Sequence, residues 1–131
     1  MILGVGVEPG TPVEFLQEAV DALGGVRFDT VATIDRRAAE PAVLALAAGR
    51  VLRTYTVAEL DAVEVPNPSA VVRRLTGTGS VAEAAAILAA REHGGAADLV
   101  VEKQRGRMVT VAVALPRQGS RGLRRGPSPD R

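Results

Sequence analysis

The sequence predicts an α/β fold: a three-layer α/β/α sandwich on a mixed sheet that ends in an antiparallel hairpin. Three observations point to it. The first half alternates short apolar, β-branched runs with helical segments that open on capping signals, the order expected of β-α-β-α-β. Two further strand-like runs near the end, residues 98–103 and 108–114, flank a Gly-containing turn of four residues, 104–107, which is a hairpin signature. Ala and Val together supply 41 of the 131 residues, so the core is built from small and β-branched side chains.

Taken in order, residues 1–7 form a buried strand that ends at Glu8, Pro9 and Gly10. A helix follows: Thr11 can cap it, Pro12 suits its first position, Glu14 completes a capping box, and Val13, Leu16, Val20 and Leu23 share one face. Gly24 and Gly25 stop it. Residues 29–34 are a second strand, with Asp35, Arg36 and Arg37 as the charged loop behind it. Glu40 and Pro41 start a helix that should bury Val43, Leu44, Leu46 and Ala47. Residues 50–55 are a third strand, and Thr56 with Glu59 makes another capping box. Asn67 and Pro68 open a helix presenting Val71, Val72 and Leu75. Ser80 with Glu83 makes a third capping box, ahead of a helix with Val81, Ala84, Ala85 and Leu88 on one side and Gly94-Gly95 at its end.

Composition narrows the function. The three aromatics, Phe15, Phe28 and Tyr55, argue against a module that stacks nucleic-acid bases. With no cysteine there are no disulfides, thiolate metal sites or Cys nucleophiles, and no metal-ligand cluster emerges elsewhere. Residues 116–131 hold five Arg and one Asp, a net of +4 against +1 for the whole chain, so residues 1–115 carry −3. Residues 1–115 are therefore read as the folded domain and 116–131 as a disordered basic Gly/Pro/Arg tail that cannot bury enough surface to order itself. Met1 leads into an apolar run without the basic segment of a signal peptide. The longest apolar stretch, residues 81–90, contains Glu83 and is too short to span a bilayer. The expected setting is the cytoplasm, without membrane contact.

Open α/β sheets bind ligands beyond the carboxyl ends of their strands, where three loops should fall. The first carries Gly4, Gly6, Gly10 and Thr11, a Gly-rich turn into a helix N-terminus that suits carboxylates or phosphates. Its spacing departs from the dinucleotide fingerprint and it lacks the Lys of a P-loop, and capping alone accounts for Thr11 and Glu14. The second carries Asp35, Arg36, Arg37 and Glu40, in which the guanidinium groups could grip an anion while a carboxylate handles a proton. The third carries Gly77, Thr78 and Ser80, with Asn67 and Ser69 nearby in sequence. His93 falls in the last turn of a helix, where a cation is favoured without any catalytic role.

The succession of segments resembles the CobE/CbiG C-terminal domain family of cobalamin (vitamin B12) biosynthesis. The matching positions are Gly4, Gly6, Gly10 and Thr11, residues 32–35 with Arg37 and Glu40, residues 58–60 and residues 65–69. They continue through Gly77 with residues 80–85, then residues 99–101 with Lys103, and residues 110–113. The resemblance implies a small α/β fold whose ligand is a precorrin or cobalt-precorrin intermediate, with other cobalamin-pathway enzymes as further partners and no cofactor of its own. It also implies an alternative in which the chain, acting with a partner chain, opens the ring-A lactone of cobalt-precorrin-5A and releases acetaldehyde. Asp35 or Glu40 would then be the base, with the Gly-loop amides or Arg37 holding the oxyanion. A non-catalytic structural subunit is a third reading. The chain departs from the family after Gly6: Val7, Glu8 and Pro9 stand where a Cys and two basic residues are usual, which shifts anion recognition toward Arg36 and Arg37.

Overall fold

A computed structural model describes residues 1–63 and 81–117. Ten elements follow the expected order. They are β1 (Ile2–Val7), α1 (Val13–Asp21), β2 (Thr30–Ile34), a 3-10 turn (Asp35–Arg37), α2 (Pro41–Ala47) and β3 (Val51–Tyr55). After these come α3 (Val57–Asp61), α4 (Val81–Gly94), β4 (Ala96–Arg105) and β5 (Val109–Arg117). The helix expected after Asn67 lies outside the described residues.

The five strands form one sheet in the order β3-β2-β1-β5-β4. β1, β2 and β3 run parallel, and β5 is antiparallel to both β1 and β4, so the sheet is mixed. Helices cover both faces. On one, α1 and α2 bury Leu16, Val20, Val43 and Leu46 against Leu3, Val5, Val7, Val31, Val111 and Val113. On the other, α3 and α4 pack Leu60, Ala85 and Ala89 on Ile2, Ala32, Ile34, Tyr55 and Ala114. Central strands buried on both faces read as continuous apolar runs, which is the pattern of residues 1–7 and 30–34.

Gly4 explains how close α4 comes. A Cβ there would overlap the Ala82 carbonyl oxygen and lie 2.9 Å from the Ala86 Cβ. The small residues of α4 continue this fit, with Ala82, Ala84, Ala85, Ala86, Ala89 and Ala90 all buried. The helix is therefore buried on more than the single side its spacing suggests.

Several local expectations are corrected. Pro12, not Thr11, occupies the N-cap of α1, and no side chain caps it. Thr11 is buried, and its hydroxyl instead donates to the Glu8 carbonyl at 2.6 Å, closing the turn before the helix. Leu44 faces solvent at 51% exposure, because α2 is short and turns Val43 and Leu46 inward instead. Glu83, expected as the closing half of a capping box, is wholly buried and its Oε2 accepts the Lys103 amide at 2.9 Å, beside an irregularity in the β4 ladder; Ser80, the other half of that box, lies outside the described residues. A residue displaced from a ladder leaves an amide that needs another acceptor, and Glu83 supplies one. The hairpin turn spans residues 106–108, with Met108 at φ 61. The Thr56–Glu59 capping box forms with both reciprocal bonds, and Pro41 takes the first position of α2 as expected.

Candidate functional site

β1, β2 and β3 run in parallel and end at Val7, Ile34 and Tyr55, so the first two Gly- and Arg-bearing loops emerge at the same edge. α4 runs opposite to these strands and so brings its amino end to the same edge. Gly94 lies beside Pro116 and Arg117, at the amino end of β1, whereas Ala82 sits over Gly4, so the first turn of α4 points toward the loops.

The β1–β2 ladder pairs Ile2 with Thr30 through Gly4 with Ala32 and then lapses, although both strands continue. Side chains take over the orphaned carbonyls of β1. The buried Thr33 hydroxyl donates to the Val5 carbonyl at 2.6 Å, and Arg37 Nε donates to the Val7 carbonyl at 3.2 Å. On its other side β1 pairs with the antiparallel β5, so the parallel and antiparallel parts of the sheet meet at this strand.

The two loops are fastened to each other. Gly10 adopts φ +78, and its amide donates to Glu40 Oε1 at 3.0 Å. The Thr11 amide donates to the Glu8 carbonyl at 3.2 Å. Within the second loop, the Ala38 amide donates to the Asp35 carbonyl and the Glu40 amide to the Arg37 carbonyl, each at 3.1 Å. Arg37 is half-buried, with Nη1 also donating to the Arg36 carbonyl at 3.4 Å. Asp35 and Arg36 are exposed, and neither side chain bonds to another described residue. Gly4 and Gly6 are buried within β1, opposite Ala112 and Thr110 of β5.

The hairpin turn arrives at this edge too, which sequence reasoning missed. The Met108 carbonyl accepts the Glu8 amide at 3.1 Å. Arg107 braces the turn against α1, placing Nη2 2.9 Å from both carboxylate oxygens of Glu18 and its guanidinium 4.0 Å from the Phe15 ring centre. No local signal announces such a partnership across the fold; Thr33 was missed for the same reason. Asn67, Ser69, Gly77, Thr78 and Ser80 lie outside the described residues, so their place relative to these loops is not part of the geometry. His93 is exposed at the opposite end of α4, beside a shallow cavity of about 270 Å³ lined by Met1, Asp29 and Pro116. Among the described residues no group of His, Asp or Glu is placed to hold a metal ion.

Residues 1–114 match the family model described as "Cobalamin synthesis G C-terminus". The chain belongs to that family. Within it, the chain is 38% identical over 128 residues to Protein CobE of Sinorhizobium sp, a match covering 88% of this chain and 80% of that protein. Its fold is similar to the crystal structure of CobE, described as a protein from the cobalamin (vitamin B12) biosynthetic pathway. That comparison has a TM-score of 0.75 and 34% identity, covering 86% of this chain and 90% of the other. A second similar structure is the cobalamin biosynthesis protein chiG from Agrobacterium tumefaciens str. C58, with a TM-score of 0.57 and 29% identity over 87% of this chain and 96% of that one. The family thus assigns the chain to cobalamin biosynthesis and accounts for the mixed α/β architecture. Among the described residues no helix is long and apolar enough to cross a membrane.

Proposed function

We propose that this member of the CbiG C-terminal family binds a precorrin or cobalt-precorrin intermediate through its peripheral carboxylates, at the carboxyl ends of β1 and β2. The supporting observation is the lapse of the β1–β2 ladder beneath two cross-fastened loops, the second of which carries Arg36 and Arg37. Open α/β sheets take their ligands beyond the carboxyl ends of their strands, and guanidinium groups match carboxylates in charge and geometry. The macrocycle has few rings to stack on in a chain with three aromatics, so its carboxylate rim is the feature to grip.

The hydrolytic alternative has less behind it. The Gly10 and Thr11 amides, which would hold an oxyanion in the first loop, both donate within the chain. Glu40 Oε1 is itself engaged with Gly10, which leaves Asp35 as the exposed base candidate. Two assays on the purified chain separate the readings. Titration with cobyrinic acid, a stable corrinoid with free carboxylates, should give saturable micromolar binding; its absence sinks the binding proposal. Incubation with cobalt-precorrin-5A should release no acetaldehyde from the chain alone; release abolished by Asp35→Asn would make the chain a lactone hydrolase instead.

A further inference from the structure

We infer that the two adjacent arginines divide the work, Arg36 reading a free carboxylate of the ligand and Arg37 acting only as a positioning residue. The ligand class is thereby a tetrapyrrole whose side chains are still carboxylates, as opposed to one in which they have been amidated. This rests on the binding reading given above.

The argument starts from what each guanidinium already does. Arg37 is half-buried and directs Nε to the Val7 carbonyl at 3.2 Å and Nη1 to the Arg36 carbonyl at 3.4 Å. Its Nε repairs the edge of β1 where the β2 ladder has lapsed, and with Nη1 on the turn's own backbone two of its five N–H donors tie the guanidinium to the fold. Arg36 is one residue away on the same 3-10 turn and is exposed, and its guanidinium makes no hydrogen bond or ion pair with any described residue, the neighbouring Asp35 included. The turn that presents it is held from three directions: by Arg37 on β1, by Glu40 on Gly10, and by the Ala38 and Glu40 amides closing on Asp35 and Arg37. A braced backbone carrying an uncommitted guanidinium loses little loop entropy on binding, which is the condition for a residue that reads a ligand group.

Charge then sets the ligand class. A guanidinium donates two parallel bonds to a carboxylate, and such charge-assisted bonds are about twice as strong as neutral ones. An amide offers it one neutral oxygen and turns an N–H toward a donor. Arg36 therefore discriminates by the state of the ligand's side chains.

Titration of the full-length chain with cobyrinic acid and with cobinamide, its amidated counterpart, tests this. Arg36→Gln should weaken cobyrinic acid about tenfold, leave cobinamide affinity unchanged, and leave the melting temperature where it was; Arg36→Lys should restore part of the loss. Arg37→Gln should lower the melting temperature and weaken both corrinoids alike. Wild-type binding to cobyrinic acid that survives Arg36→Gln overturns the inference while the binding reading stands. So does a carboxylate-selective loss in Arg37→Gln. Failure of the wild type to bind either corrinoid overturns both.

Discussion

Gly4 is the residue at which one methyl group does most damage. It is buried in the central strand, paired with Ala32 on one side and Ala112 on the other, so the backbone cannot retreat. An added Cβ would overlap the Ala82 carbonyl oxygen and lie 2.8 Å from the carbonyl carbon, atoms that a 14-residue helix cannot move singly. Gly4→Ala should therefore cost about 3 kcal/mol, at the upper end of ordinary overpacking, and lower the melting temperature by roughly 10 °C. Gly10 makes the contrast. Nothing lies within 4 Å of its Cβ position, so Gly10→Ala meets only the strain of φ +78, about 1 kcal/mol. Thermal melts of the two variants check the order, and a Gly4→Ala protein as stable as wild type would mean that α4 does not rest on β1 as described. The glycines also show the limit of reading a site from sequence. A turn, a ligand and a packed helix all select glycine, and only the fold shows that Gly4 answers to α4.

At the scale of elements, the signals that were legible are those completed within a few residues. The Thr56–Glu59 box, Pro41 opening α2, the alternation of strands and helices, and the closing hairpin all depend on near neighbours in sequence. What stayed hidden joins distant parts: Glu83 of α4 serving the Lys103 amide of β4, Thr33 and Arg37 serving β1, and Met108 receiving the first loop. Tyr55 is another such joint. It ends β3, is buried at 6% exposure, and donates its hydroxyl to Glu92 Oε2 of α4 at 2.8 Å, while Arg53 Nε lies 3.4 Å from Glu92 Oε1. Burial, and then the bond to the Glu92 carboxylate, hold the phenol well above its ordinary range. The folded state thus keeps a proton that the unfolded chain releases near pH 10, so this stabilisation is complete below about pH 10 and is lost as pH climbs beyond it. Tyr55→Phe should cost about 1 kcal/mol at neutral pH and should flatten the alkaline fall in stability. The chain has a single tyrosine, so phenolate absorbance in the folded state reports this group alone. Its ionisation near pH 10 without unfolding would contradict the buried joint.

For the whole molecule, anion recognition has to work against the overall charge. Residues 1–115 carry a net −3, so an anionic ligand meets no favourable long-range field from the folded body. Recognition then depends on contacts between ligand carboxylates and a few placed donors, Arg36 first among them. Salt separates the long-range and short-range effects. At about 0.1 M the Debye length is about 10 Å, which already mutes repulsion from charges spread over the domain; at about 1 M it is about 3 Å, comparable to the separation within a contact ion pair. Over that interval the contact attraction is what remains to be lost. The affinity of the chain for cobyrinic acid should fall several-fold between roughly 0.1 and 1 M salt, with most of the change in the dissociation rate, because the geometry of encounter is not steered by the net field. Cobinamide supplies the reference, since an amidated rim offers no carboxylate to screen and its affinity should hold or strengthen with salt. Equal, flat salt profiles for both corrinoids would shift recognition from the carboxylate rim to the apolar edge of the macrocycle.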